Sequence, residues 1–142
     1  MRKPQRYMLI DDDPTSNLIG EFVIKSCDSD AVIESYVDPE VALSEIEKKY
    51  GECEDLPETL LFLDLNMPNM SGWDFLEVFE EFHEDVRKSF TVNILTSSIE
   101  DFSTDKVRFP FVSGFISKPL KKDKMREILE GWTSVQKKKT GS

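Results

Sequence analysis

Short apolar runs alternate with stretches of helical periodicity along the 142 residues of the chain. The runs predict buried strands, since several are rich in β-branched or aromatic side chains. Between them, apolar residues recur at three- and four-residue spacing, which is typical of helices with one buried face. The predicted strands cover residues 7–10, 31–36, 60–63, 92–95 and 111–117. The apolar positions of the predicted helices are Leu18, Ile19, Phe22 and Val23; Ala42, Leu43 and Ile46; Phe75, Leu76 and Phe79; and Met125, Ile128, Leu129 and Trp132, with a weaker helix over residues 99–106.

Five strands that alternate with five helices predict an α/β fold with a doubly wound parallel sheet, because strands with continuous apolar runs need burial on both faces. The polar segment Lys48–Glu58 lies inside the alternation, so we interpret it as a long loop rather than an interdomain linker. Met67, Pro68 and Gly72 are expected in the turn between the third strand and its helix. The lysine-rich end of the chain, residues 133–142, is expected to be a disordered tail.

The composition argues against two classes of partner. A formal net charge of −10 disfavours direct nucleic-acid binding, which needs clustered lysine and arginine side chains. No apolar run approaches the roughly 20 residues of a transmembrane helix, and acids follow the first apolar run where a signal peptide would continue. We therefore expect a cytoplasmic protein without membrane insertion. The cysteines Cys27 and Cys53 have no metal-ligand spacing and are assigned no role.

Polar residues follow or end four of the five predicted strands. Asp11 and Asp12 come after the first strand, Asp64 ends the third, Thr96 ends the fourth and Lys118 ends the fifth. In open parallel α/β sheets, ligands bind outside the carboxyl ends of the strands. We therefore expect these five side chains at one edge of the sheet.

The chemistry of these side chains suits a cation and a phosphoryl group. Carboxylates about 4 Å apart repel one another by roughly 4 kcal/mol per pair, so three of them call for a compensating cation. Mg²⁺ prefers oxygen ligands and needs only one or two carboxylates plus a backbone carbonyl. A buried carboxylate is also a competent nucleophile toward phosphorus. Thr96 and Lys118 would supply a hydroxyl and a positive charge to the phosphoryl oxygens.

Simpler structural roles also explain part of this pattern. Asp13 and Pro14 fit the N-cap and first position of a helix, and we assign them that role. The acid pair before them has no such structural reason, so it indicates a cation site. Lys118 alone would be a surface lysine, but it precedes Pro119, and we hypothesise a cis peptide bond there that aims the lysine inward.

Taken together, these motifs make the sequence similar to the response-regulator receiver family of two-component signalling, over roughly residues 6–132. The resemblance rests on LIDDDP at the first strand, FLDLNMPNMSGWDFL after the third, ILTSS at the fourth and GFISKPL at the fifth, in the family's order. It implies a single-domain, chemotaxis-type receiver with a flavodoxin-like (βα)₅ sheet of strand order 2-1-3-4-5.

Carried over by position, the resemblance implies that Asp64 is the phosphoacceptor. The implied cofactor is Mg²⁺, held by Asp11, Asp12, Asp64 and the backbone carbonyl of Asn66, with Asp12 favoured over Asp11 as the direct ligand. The chain would then be a signalling phosphoacceptor that catalyses only its own phosphorylation and dephosphorylation.

The resemblance also assigns a conformational switch. Thr96 resembles the switch hydroxyl and Lys118 the lysine that pairs with the phosphoryl group. Phe115 lies where the family has a rotamer-changing aromatic, often tyrosine, so a contact that uses a tyrosine hydroxyl is not expected. Asn66 and Ser98 resemble the variable positions that tune the phosphoryl lifetime.

The implied partners are a phosphodonor and a target. The donor would be a histidine kinase or a histidine phosphotransfer protein, and an unidentified downstream protein would bind the fourth helix, fifth strand and fifth helix, near Phe115. His83, the sole histidine, is expected late in the third helix, on the surface and away from the acid edge. The chain is therefore interpreted as an acceptor rather than a kinase.

Two alternatives compete with the receiver. Asp11, Asp13 and Thr15 fit the DxDxT motif of haloacid-dehalogenase-type phosphatases, with Asp11 as nucleophile. That family carries an acidic pair after its lysine, whereas Lys121–Trp132 is predicted to be one amphipathic helix, and the phosphatase leaves Asp64 unexplained. A receiver-like interaction module that is never phosphorylated fits less well, because all the expected acceptor-site residues are present.

Overall fold

The computed structural model describes residues 3–51, 55–97 and 109–140, with the backbone alone for residues 51 and 133–140. Within these residues, strands and helices alternate as predicted, apart from one extra short helix before the fourth strand. The strands are β1 Arg6–Ile10, β2 Ile33–Tyr36, β3 Thr59–Asp64, β4 Phe90–Thr96 and β5 Val112–Ser117. The helices are α1 Pro14–Cys27, α2 Pro39–Gly51, α3 Gly72–Phe79, α4 Glu84–Lys88 and α5 Lys122–Thr140.

The five described strands form one sheet of order β2-β1-β3-β4-β5, and every neighbouring pair is parallel. This confirms the doubly wound α/β fold and its 2-1-3-4-5 strand order. The register pairs Ile10 with Leu63, Asp64 with Leu95, and Thr96 with Ser117. Because all the strands run the same way, their carboxyl ends lie at one edge, where the polar residues of the sequence motifs follow.

Both faces of the sheet are buried, as the continuous apolar strands require. Successive residues of β1 point to opposite faces, so Tyr7 and Leu9 join one apolar cluster while Met8 and Ile10 join the other. The first cluster includes Ile24 of α1 and Trp132 of α5, and the second includes Ile46 of α2 and Phe75 of α3. Helices α1 and α5 therefore cover one face, and α2 and α3 cover the other.

Local capping sets where the helices begin. Asp13 is the N-cap of α1, as predicted, and its carboxylate accepts a hydrogen bond of 2.9 Å from the backbone N–H of Thr15. Helix α3 starts with a capping box, in which Ser71 and Asp74 each accept a hydrogen bond from the other's backbone N–H. These side chains occupy backbone donors that have no partner inside the helix.

Some local predictions were wrong. Helix α2 continues to Gly51, so the first part of the expected loop Lys48–Glu58 is helical. Gly72 is the first residue of α3 rather than a turn residue. His83 is exposed, as expected, but it caps α4 instead of lying in the third helix, and its Nδ1 accepts from the N–H of Asp85 at 3.1 Å. Helix α4 was not predicted because it is too short to show an apolar period.

Other predictions are left untested. The predicted helix at residues 99–106 lies outside the described residues, as does Cys53. The backbone of α5 runs to Thr140, and the domain limits of 6–132 with a tail at 133–142 stay a prediction. None of the helices in the described ranges is both long and apolar enough to cross a membrane.

Candidate functional site

The structure brings all five of the expected polar residues to the carboxyl edge of the sheet. Asp11 directly follows β1, Asp64 and Thr96 are the last residues of β3 and β4, and Lys118 directly follows β5. Asp11 and Asp64 are each only 4% exposed and Thr96 is 1% exposed. Charged and polar groups that are buried so deeply need specific partners.

Three carboxylates form the acidic part of the site. One oxygen each from Asp11, Asp12 and Asp64 lies within 4.8 Å of the other two, and Asp12 is the exposed member of the group. The spacing is short enough for one cation to contact all three, and carboxylate oxygens are ligands that Mg²⁺ prefers.

Lys118 supplies the positive charge. Its Nζ lies 2.7 Å from Asp11 Oδ2 and 3.2 Å from Asp64 Oδ1, and its side chain is 20% exposed. The Lys118–Pro119 peptide bond is cis, as hypothesised from the sequence. Asp11 Oδ2 is fully buried and, although it is close to the ammonium, accepts no well-aligned hydrogen bond from the described residues.

The ionisation of the site reflects this crowding. Burial and the neighbouring Asp11 raise the pKa of Asp64, while Lys118 and the backbone N–H of Asn66 only partly offset them. Burial by itself lowers the pKa of Lys118, but Asp11 and Asp64 outweigh burial, so its pKa is raised. Lys118 is therefore protonated at neutral pH. It is one ammonium among three carboxylates, so the described part of the site keeps excess negative charge.

Asn17 holds the loop that carries the first acids. Its Nδ2 donates hydrogen bonds of 3.1 Å to the backbone oxygens of Asp11 and Tyr36, and Asp11 N donates to the same Tyr36 oxygen at 3.0 Å. The carboxylate of Asp11 also accepts from Asp13 N at 2.9 Å. The sequence analysis missed Asn17. A polar residue on the buried face of α1 was the available signal.

Gly72 lets helix α3 approach the acceptor strand closely. A Cβ at this position would lie 2.6 Å from the backbone oxygen of Asp64 and 2.9 Å from Leu65 Cδ2. The backbone N–H of Gly72 donates to the oxygen of Leu65 at 3.0 Å. Only glycine fits at this distance, so this residue fixes α3 against the end of β3.

The remaining expected site residues have different surroundings. Phe115 is partly buried, and its ring centroid lies 6.2 Å from that of Trp73, on the face covered by α3. Asn66 is exposed, two residues beyond Asp64. Ser98 lies outside the described residues, so its expected part in tuning the phosphoryl lifetime stays a prediction.

The family model of the response regulator receiver domain matches residues 7–130. The chain belongs to the response-regulator receiver family. Receivers are the signalling phosphoacceptors of two-component systems, typically bind Mg²⁺ through an acidic cluster, and imply a histidine kinase or phosphotransfer protein as partner. No curated protein matches the chain.

Solved structures show the same receiver fold. A two-component response regulator from Cytophaga hutchinsonii is 23% identical with a TM-score of 0.76, over 92% of this chain and 99% of that one. A response regulator receiver protein from Dyadobacter fermentans is 20% identical with a TM-score of 0.77, over 90% and 97% of the two chains. A CheY-like receiver domain protein from Methanospirillum hungatei is 16% identical with a TM-score of 0.71, over 96% and 99%.

Proposed function

We propose that Asp64 accepts a phosphoryl group from the phosphohistidine of a histidine kinase or histidine phosphotransfer protein. The observation that carries this proposal is the position of the Asp64 carboxylate, buried at the end of β3 and 3.2 Å from the Lys118 ammonium. A carboxylate oxygen of Asp64 attacks phosphorus and forms the O–P bond. The P–N bond to the donor imidazole breaks, and the product is an acyl phosphate.

Lys118 and Thr96 stabilise the transferred group in this proposal. Negative charge is spread over the phosphoryl oxygens during transfer, and a preplaced ammonium and hydroxyl at a buried site stabilise it. Lys118 is held between Asp11 and Asp64, so it is already beside the acceptor before the donor arrives.

The ligand atoms of the acid cluster suit Mg²⁺. The acids supply hard oxygen ligands, the buried Asp11 Oδ2 has unused acceptor capacity, and Lys118 alone leaves the carboxylates short of positive charge. We assign Asp11, Asp12, Asp64 and the backbone carbonyl of Asn66 as the residues that hold the ion. When bound, Mg²⁺ supplies positive charge that neutralises the phosphoryl oxygens.

Phosphorylation of Asp64 would then shift an equilibrium between two conformers. A shift from mostly inactive to mostly active needs about 5.5 kcal/mol of differential stabilisation, to which the Thr96 and Lys118 contacts with phosphate contribute. The proposed output surface for the downstream protein includes β5 and α5 near Phe115, together with the predicted helix outside the described residues. The −10 net charge argues against direct nucleic-acid contact, and we assign this signalling to the cytoplasm.

The surroundings of Asp11 favour this proposal over the phosphatase. In the phosphatase, Asp11 would be the nucleophile of a DxDxT motif, and Asp13 would be its second functional aspartate. Instead, Asp13 caps α1, and the Asp11 carboxylate is engaged by the N–H of Asp13 and by Lys118. Asp64 Oδ1 lies 3.2 Å from the Lys118 ammonium, and Asp64 lies within the receiver domain that the family model matches.

The decisive experiment maps the phosphorylated residue. The protein is incubated with Mg²⁺ and acetyl phosphate, and separately with a panel of phosphorylated histidine phosphotransfer proteins, and the acyl phosphate is trapped and located by mass spectrometry. Asp38 serves as a control because its carboxylate accepts a hydrogen bond of 2.9 Å from Glu40 N at the start of α2. Label on Asp64, lost in Asp64→Asn and retained in Asp38→Asn, supports the proposal. Label on Asp11 would support the phosphatase, and absence of label from every donor would support the interaction module.

A further inference from the structure

A cavity separate from the acceptor site lies between helix α5 and strands β4 and β5, where β5 is the edge strand of the sheet. Its volume is ≈ 240 Å³, and its walls come from β4, β5 and α5. None of the three clustered carboxylates lines it. By comparison, an engineered protein cavity of about 150 Å³ holds benzene, so this one has room for a one- or two-ring molecule.

A buried amide lies in the floor of this cavity. Asn93 is in the middle of β4 and only 6% exposed, and it lines the cavity. Its Oδ1 would lie only 3.0 Å from a Cβ at Gly114, so glycine on β5 leaves the room that the amide occupies. An asparagine amide that faces a cavity can offer both a donor and an acceptor to a bound molecule.

An unsatisfied polar group belongs to the roof. Trp132 is 2% exposed and lines the cavity, and its Nε1–H is buried without an acceptor. Ile116 and Ile128 add apolar wall on either side. The cavity therefore combines apolar walls suited to a flat ring with the amide of Asn93 and the unpartnered indole N–H of Trp132.

Gly131 widens the cavity on the α5 side. Glycine within a helix is less favourable than alanine, and close packing is its usual justification. Here a Cβ would meet no atom within 4 Å, so packing does not require glycine. Gly131 is exposed and lines the cavity, so a large side chain at this position would reduce the space there.

We propose that this cavity binds a small planar aromatic molecule that carries a lactam or amide edge. The ring would occupy the apolar space between Ile116, Ile128 and Trp132, and the edge would pair with the amide of Asn93. An asparagine amide offers one donor and one acceptor side by side, and it pairs best with a ligand edge that offers the complementary two, as it does with adenine.

The test uses the indole N–H of Trp132 as its reporter. In ¹⁵N-labelled protein, the two tryptophans, Trp73 and Trp132, give separate indole signals, which Trp73→Phe assigns. The probe is 2-quinolinone, a two-ring lactam, and the matched control is N-methyl-2-quinolinone, which lacks the donor. We expect a saturable shift of the Trp132 signal with a Kd at or below about 1 mM, at least about tenfold weaker binding of the control, and a smaller change at Trp73.

Two variants test the location of binding. Asn93→Leu should abolish the preference for the lactam over its N-methyl analogue. Gly131→Leu should fill the cavity and weaken binding while Asn93 is unchanged, and Gly131→Ala is its size control. Any one of three results would overturn the proposal. The shift could fail to saturate, or the unmodified protein could bind the two quinolinones with equal affinity. A folded Gly131→Leu variant could also bind the probe as well as the unmodified protein does.

Discussion

The backbone N–H of Lys118 donates a hydrogen bond of 2.8 Å to the carbonyl oxygen of Thr96. This bond joins the ends of β4 and β5 and sets the spacing between the residue that carries the hydroxyl and the residue that carries the ammonium. Lys118 in turn bridges Asp11 and Asp64. The end of β4 is therefore connected to the acceptor through one residue, and a movement at either strand end affects the other.

Replacing Thr96 with alanine should separate phosphorylation from switching. Asp64 should still be labelled, because its carboxylate and Lys118 are unchanged. The conformational equilibrium should shift by roughly ten- to 150-fold toward the inactive conformer, since a hydrogen bond to a charged group contributes about 1.5–3 kcal/mol. The measurement compares amide chemical shifts of Phe115 and Ile116 before and after phosphorylation. Thr96→Ser, which keeps the hydroxyl, should respond like the unmodified protein, and an undiminished response in Thr96→Ala would exclude the proposed switch.

Mg²⁺ should stabilise the folded protein through the acid cluster. At a concentration 100 times its Kd, a ligand that binds only the folded state raises the free energy of unfolding by about 2.7 kcal/mol. Urea titrations with and without Mg²⁺ measure this difference. Asp12→Ala should lose most of it, whereas Asp13→Ser should keep it because serine also caps α1. Equal stabilisation of both variants would place the ion elsewhere.

Gly72→Ala should destabilise the protein by about 1–3 kcal/mol, because the added methyl group overlaps backbone atoms at the end of β3. Chemical denaturation measures the change. The matched control is Gly131→Ala, where the methyl group meets no atom within 4 Å. That control should be neutral or stabilised by up to about 1 kcal/mol. Similar stability for both variants would mean that α3 moves away at little cost.

The opposite edge of the sheet contains a pH-sensitive contact. Asp28 accepts hydrogen bonds from Lys3 Nζ at 2.8 Å and from the Tyr7 hydroxyl at 2.9 Å. Burial by itself raises the pKa of Asp28, but the bonds from Lys3 and Tyr7 outweigh burial, so the pKa lies below the ordinary value for an aspartate. The stability from this charged form is therefore present above the ordinary aspartate pKa and is lost as the pH falls through the lower, folded-state pKa.

Asp28→Asn should accordingly lower the free energy of unfolding by about 1.5–3 kcal/mol at pH 7. The difference from the unmodified protein should begin to shrink as the pH falls below about 4, where the carboxylate of the unfolded state takes up a proton, and should vanish only below the lower folded-state pKa. Urea titrations from pH 7 to pH 3 provide the measurement, and Asp30→Asn, at an exposed neighbour, is the control. A difference that is independent of pH would mean that Asp28 acts through packing rather than charge.

The sequence by itself determined the strands, their order through the family resemblance, and the edge at which the polar residues meet. Strand identity is largely a local property, because a short apolar run rich in β-branched or aromatic side chains favours a strand over a helix. Once the strands are parallel, residues such as Asp11, Asp64, Thr96 and Lys118 come to one edge by geometry. The N-cap role of Asp13 was also predictable, since it depends on the residues that immediately follow.

The tertiary structure alone decided which of these groups touch. Three contacts depend on how the helices dock on the sheet. Lys118 lies closer to Asp11 than to Asp64. Asn17 holds the loop of Asp11, and Gly72 packs against the backbone oxygen of Asp64. The cavity beside Asn93 likewise exists only because α5 leaves space above β4 and β5. These contacts join residues far apart in sequence, and their distances follow from side-chain packing, which no local pattern encodes.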